Sequence, residues 1–155
     1  MSTPRPITEW QFALLKPIAR WMSAVHTALY RMSAGGLGGR FGGGDVCLVK
    51  MTGARSGREM EIPLMYVPYG DGVILVASFA GAPRHPAWYH NLVAHPRIEV
   101  TWKNQRKTLL ARRASPEEKA AVWPLCCQHY KDFDLYQRRT GRDIPVFICE
   151  PAGVA

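Results

Sequence analysis

Three stretches of the chain carry residue types whose spacing could do chemistry. The first is TGARSGR, Thr52 to Arg58. Its two glycines supply the positive φ that a tight turn needs, and a turn alone asks for nothing more. Arg55 and Arg58 add planar guanidiniums that match phosphate oxygens two at a time, and Thr52 and Ser56 add hydroxyls, so the turn reads as a phosphate clamp. It is not a Walker loop, because the G-x-x-x-x-G-K-[ST] spacing is absent. The alternative is a solvated hairpin turn whose arginines serve solubility. The second stretch is ASFAGAPRHPAWYHNL, Ala77 to Leu92. A strand ends there in small residues, which let a flat ring approach the backbone, and a helix follows with Trp88 as a face to stack on or as core. The third is YKDFDLY, in which Tyr130, Phe133 and Tyr136 stand three residues apart and would share one side of a helical turn, as a binding lid or as packing.

Other chemistries find little support. His26, His85, His90, His95 and His129 show no H-x-x-x-H or H-E-x-x-H arrangement and no acidic cluster accompanies them, so no metal site is expected. No G-x-S-x-G occurs. Cys47, Cys126, Cys127 and Cys149 fall into no C-x-x-C spacing and read as small buried hydrophobes of a reducing compartment. With 155 residues the chain makes one domain, long enough to bury roughly 70% of its unfolded surface. A hydrophobic content of 47% with 21% charged residues excludes both a disordered chain and a membrane-spanning class. The net charge of +8 points to an anionic partner: nucleic acid, a membrane face or a phosphorylated small molecule.

The elements that must position these residues follow from periodicity. Trp10, Leu14, Ile18, Trp21, Val25, Leu29 and Met32 recur at three- and four-residue steps, which predicts an amphipathic helix in residues 1–34, kinked or restarted at Pro17. Residues 35–44 hold seven glycines and read as a flexible linker. From residue 45 to 155 short apolar runs separated by glycine turns predict a barrel domain: VCLVKMT, EMEIPLMYV, GVILVASF, RIEVTWK, KTLLARRA and a last strand PVFICE. Two helices interrupt it. One runs from His85 to Ala94, and the other starts at Ser115, where SPEE offers an N-cap serine, an early proline and a glutamate at N3. The class is α+β.

Taken in order, GLGG at Gly36, TGARSG, the IPL strand, AWYHNLVAHP and IPVFICEP resemble the deazaflavin-dependent nitroreductase family, from the N-terminal helix to Pro151. The resemblance implies a split β-barrel, FMN-binding-like, with flanking helices, and coenzyme F420, an 8-hydroxy-5-deazaflavin with a phospholactyl and polyglutamate tail. It implies that Arg55, Ser56, Gly57 and Arg58 hold the phosphate and acidic tail. Pro63, Leu64 and Met65 would lie under the ring, Ala77, Ser78 and Phe79 at its edge, and Trp88 and Asn91 would close the tail groove. Tyr130, Phe133 and Tyr136 fall on substrate-facing positions. The chain departs from the family at Ala54 and Phe79, where a basic residue is common, and at Phe133, where tyrosine is.

A deazaflavin donates hydride from carbon, so the protein has to orient two flat molecules and stabilise charge on the acceptor. The expected reaction is reduction of a quinone or an α,β-unsaturated carbonyl, with nitroaromatics as adventitious substrates. Ser78 and Tyr136 would donate to the developing oxyanion, with Tyr130 beside them, and Tyr136 or water would supply the proton. The helix either lies in a bilayer interface, on the inner face of the membrane of a cytoplasmic enzyme, or packs on the barrel or on a second copy. Two rivals are an FMN-dependent split-barrel oxidoreductase and a basic RNA-binding module. The second lacks an aromatic ladder on one sheet face, so no nucleic acid is expected.

Overall fold

The computed structural model describes residues 4–33 and 36–153. Helix α1 covers Glu9–Met32. Pro17 lies inside it without ending it. Both Pro17 and Ala13, the carbonyl that loses its donor, are exposed, so water can satisfy the freed oxygen. Strands β1 (Arg40–Phe41), β2 (Gly44–Thr52) and β3 (Glu59–Met65) follow, then β4 (Val67–Tyr69), β5 (Gly72–Val76), α2 (Ala87–Ala94), β6 (Arg97–Trp102) and β7 (Gln105–Arg113). Helices α3 (Pro116–His129) and α4 (Asp132–Arg139) lead to β8 (Val146–Pro151).

All strand pairs are antiparallel, in the order β1-β2-β6-β7-β8-β5-β4, with β3 on the other side of β2. β3 and β4 are thus opposite edges of one sheet, yet only Tyr66 separates them in the chain. A sheet whose two edges are joined by one residue has to curl, and the result is a split barrel. Period-2 alternation then sorts the side chains. Cys47, Val49, Met51, Val73, Leu75, Phe147 and Cys149 enter the barrel with Trp88 and Leu92 of α2. Ile74, Val67 and Val146 face outward and are covered by Val122 and Cys126 of α3 with Tyr130 and Phe133.

Several boundaries differ from expectation for local reasons. The run EMEIPLMYV is two strands, because the turn of the chain at Tyr66 carries it from one sheet edge to the other. GVILVASF stops at Val76, and Phe79–Gly81 forms a 3-10 turn with Phe79 and Ala80 at φ 42° and 54°. α2 starts at Ala87, since Pro86 is its N-cap and bars His85 from helical geometry. α3 begins as the SPEE pattern predicts: Ser115 Oγ accepts from the Glu118 N–H at 3.1 Å and Glu118 accepts from the Ser115 N–H at 2.9 Å. Tyr130 precedes α4 in extended conformation, so only Phe133 and Tyr136 of the aromatic trio share that helix.

The glycine-rich run is packed rather than loose over residues 36–44. β1 pairs with Gly44 and Asp45. His26 of α1 bonds the Gly38 carbonyl. A Cβ at Gly42 would meet the Tyr130 ring at 2.8 Å, and one at Gly44 would meet the Met65 methyl at 2.4 Å. Glycine is needed here for close approach of backbone to side chain. α1 turns Thr27, Tyr30 and the half-buried Phe12, Ser23 and His26 toward the barrel. Tyr30 Oη accepts from the Lys103 N–H at 2.9 Å, and Arg31 pairs with Glu61 on β3. The apolar stripe points elsewhere: Trp10 is 65% and Trp21 70% exposed, with Leu14, Ile18, Val25, Leu29 and Met32 between them.

Candidate active site

The turn between β2 and β3 is built to keep its side chains outward. Gly53 N–H donates to the Arg58 carbonyl at 2.8 Å and Gly57 N–H to the Gly53 carbonyl at 3.0 Å, with Gly57 at φ 66°. The Arg58 N–H donates to Ser56 Oγ at 3.2 Å, which leaves the Ser56 hydroxyl hydrogen for a ligand. Arg55 and Arg58 are exposed and neither pairs with a carboxylate among the described residues. The nearby Glu59 and Glu61 are engaged by Lys50 and Arg31. Two unneutralised guanidiniums on a rigid turn are a ready anion site.

Asn91 fixes that turn from α2. Its side chain is buried, Oδ1 accepts from the Ala54 N–H at 2.9 Å, and Nδ2 faces the sulfurs of Met51 and Met60 at 3.6 and 3.5 Å. Trp88, one turn earlier, is 8% exposed and packs on Phe147, its ring centroid 5.9 Å away. Asn91 and Trp88 therefore meet the barrel, and Asn91 acts on the clamp through the backbone of Ala54.

A second group of expected residues converges outside the barrel. Met65 packs in the cluster that holds Tyr130, Phe133 and Tyr136. The Tyr130 and Tyr136 hydroxyls lie 3.0 Å apart. Burial, then the Tyr136 hydroxyl and Asp132, push the Tyr130 hydroxyl well above the usual phenol range, so it stays protonated. Phe133 is 1% exposed and packs edge-on against Tyr130 at 5.0 Å, so it supports that ring from behind. Pro63 and Leu64 are half-buried on β3.

The segment after β5 joins this group through α4. Ala77 and Ser78 are buried, and the 3-10 turn packs against α4, with Gly81 so close to the Tyr136 carbonyl that a Cβ would lie 2.8 Å from it. Arg139 donates to the Ala80 carbonyl at 3.1 Å and its guanidinium faces the Tyr136 ring at 5.7 Å. Phe79 meets Phe12 of α1 edge-to-face at 5.2 Å. Arg142, which the sequence reading did not single out, binds the carbonyls of Ala77, Ser78 and Ala82 and the ring of His85. The one signal for it is its place two residues before the buried run that starts at Ile144. His85 also stacks on Tyr89 at 4.3 Å. Burial, then Arg142, Arg113 and His90, hold its imidazole below the usual range, hence neutral.

Fold and site together define a split barrel with an exposed arginine turn suited to an anionic group and a tyrosine pair packed beside Met65. The family model described as F420H(2)-dependent quinone reductase matches residues 21–151. An F420H(2)-dependent quinone reductase of Mycobacterium tuberculosis is 33% identical over 143 residues, 84% of this chain and 96% of that protein. A solved F420-H2 dependent reductase superposes with a TM-score of 0.64 at 38% identity, over 68% of this chain and 93% of its own. A solved domain-swapped dimer gives the same score and identity over 68% and 79%. HutZ, the heme storage protein from Vibrio cholerae, shares the fold at 16% identity, with a TM-score of 0.51 over 70% and 82%. The chain belongs to the F420H(2)-dependent quinone reductase family, and its coenzyme is F420. The residues fit that coenzyme: the two unpaired arginines suit an acidic tail, and Met65, which packs beside Tyr130 and Tyr136, offers an apolar contact to a ring, while Leu64 on the other face of β3 points into the barrel.

Proposed function

We propose that this chain reduces quinones and other electron-poor carbonyl acceptors, α,β-unsaturated carbonyl compounds among them, with nitroaromatics as adventitious substrates. When bound, the coenzyme supplies a hydride from a ring carbon. Arg55, Ser56, Gly57 and Arg58 grip its phosphate and tail, and Asn91 holds that grip in place. Pro63, Leu64 and Met65 support the ring, with Ala77, Ser78 and Phe79 at its edge. The observation that carries the reading is the Tyr130–Tyr136 hydroxyl pair at 3.0 Å, packed in one cluster with Met65. Either hydroxyl of the pair can donate to the other; in the arrangement that serves the reaction, Tyr130 donates to Tyr136 and the Tyr136 hydrogen is free to point at an acceptor oxygen. Ser78 and Tyr136 stabilise charge on that oxygen, and Tyr136 or water protonates it.

The exposed apolar stripe of α1 supports a lipid-soluble acceptor. Trp10 and Trp21 can sit in a bilayer interface while Lys16 and Arg20 meet anionic headgroups. Among the described residues no helix is long and apolar enough to cross a membrane, so contact would be peripheral. The test is titration with oxidised and reduced F420, FMN, FAD, NADH and NADPH, followed by turnover of menadione with each reduced form as the hydride donor. Binding and turnover with F420 alone support the reading. Tight FMN binding with no response to F420 would replace it with the flavin alternative.

A further inference from the structure

We propose that Arg142 is a positioning residue: its guanidinium holds residues 77–82 in the left-handed turn that sets Ser78 at the reaction site. The role of Ser78 rests on the function proposed above; the hold on the turn does not. Arg142 Nε donates to the Ala82 carbonyl at 2.8 Å, and Nη2 donates to the Ser78 and Ala77 carbonyls at 2.9 and 3.2 Å. Nη1 donates to His85 Nδ1 at 3.0 Å. No carboxylate lies within ion-pair distance of Arg142 among the described residues. Half-buried, Arg142 places four of its five N–H donors on three backbone oxygens and one neutral ring.

What it grips is a conformation that side chains resist. Phe79 and Ala80 have φ of 42° and 54°, and Gly81 continues the run at 75°. Such residues persist only where the surroundings over-determine them. Inside the turn only the Gly81 and Ala82 N–H groups bond back, to the Ser78 and Phe79 carbonyls. The remaining hydrogen bonds come from Arg142 on both flanks, from Arg139 on Ala80 and, more weakly at 3.4 Å, from the Thr140 hydroxyl on Ala82. A lysine would keep the charge but, as a point donor, could not span the carbonyls on either side of the turn.

The strain supplies the test. In Arg142→Lys, exchange of the Gly81 and Ala82 amides, the two that bond within the turn, should speed at least tenfold without coenzyme, while β5 stays protected. F420 binding should weaken about tenfold, about 1.4 kcal/mol. Ala80→Gly removes the left-handed penalty, so alone it should change little, and added to Arg142→Lys it should restore most of both losses. Unchanged exchange at the turn would overturn the proposal. So would a loss that spreads through β5 and β8 and that Ala80→Gly does not rescue, because Arg142 would then be a general stability residue. If Arg142→Lys does not fold, His85→Leu decides: it removes one acceptor of the fork, and turn exchange should rise about threefold, whereas no rise overturns the idea. Wild-type protein that fails to bind F420 would sink the proposed function and leave the exchange result standing.

Discussion

Asn91 shows how a single side chain can serve a site without touching a ligand. Its oxygen holds the Ala54 N–H, so Asn91→Leu should cost roughly 1–3 kcal/mol for the unsatisfied amide, read from urea unfolding. It should also weaken F420 binding, because Arg55 loses its rigid base. Arg55→Ala should weaken the same binding by about 1.5–3 kcal/mol, the range for a hydrogen bond to a charged group, and the gap should narrow with salt. Equal affinity at low salt would place the clamp elsewhere. At the acceptor end, Tyr136→Phe should lower kcat and kcat/KM together, on the order of a hundredfold, since a donor to a developing oxyanion acts mainly in the transition state. A change in KM alone would make Tyr136 a pocket wall. The turn and its exposed arginines were readable because glycine punctuates the run and the arginines exceed what a turn needs. Arg142 was not, since nothing local distinguishes an arginine that finds three carbonyls across space from one that finds water.

Among the elements, α1 is the one with an unspent surface. Its barrel side is narrow, made of Phe12, Ser23, His26, Thr27 and Tyr30, and the wide apolar stripe faces away. Replacing the exposed Trp10 and Trp21 by glutamate in the full chain should keep F420 affinity within about twofold and lose co-sedimentation with anionic vesicles, since interfacial binding scales with buried apolar area. Equal co-sedimentation of both chains would remove the membrane from the account. Periodicity located this helix and most of the strands because a 3.6 or a 2.0 repeat survives in any fold. It could not say which face of α1 meets the barrel, since the contacts that decide this are polar: Tyr30 on Lys103, His26 on Gly38 and Arg31 on Glu61. The glycine run misled for a related reason. Flexibility and close packing both ask for residues without side chains, and only neighbours distant in sequence, such as the Tyr130 ring at Gly42 and Met65 at Gly44, tell them apart.

For the molecule as a whole, two titrations report on the intact fold. His85 is held below its unfolded value, so the folded state binds protons more weakly, and stability is full above about pH 6.5 and falls as the pH drops through the folded value. The groups facing it are Arg142, Arg113, His90 and Tyr89. Urea midpoints should therefore fall between about pH 7 and 5. His85→Leu should flatten that limb, and an unchanged slope would assign it to other groups. The thiols give a second readout. Burial pushes Cys126 and Cys149 up to about 12 and Cys47 higher still, so at pH 8 only the half-exposed Cys127 should react with a disulfide reagent before unfolding. The order of strands carries one more implication, for the birth of the protein. β8 joins β7 to β5, and it is the last strand of the described chain to leave the ribosome. Until it does, the nascent polypeptide holds two half-sheets whose facing edges are bare templates for pairing with anything nearby. Closure thus waits for β8, and a chain that stops just before Val146 would be an aggregating fragment.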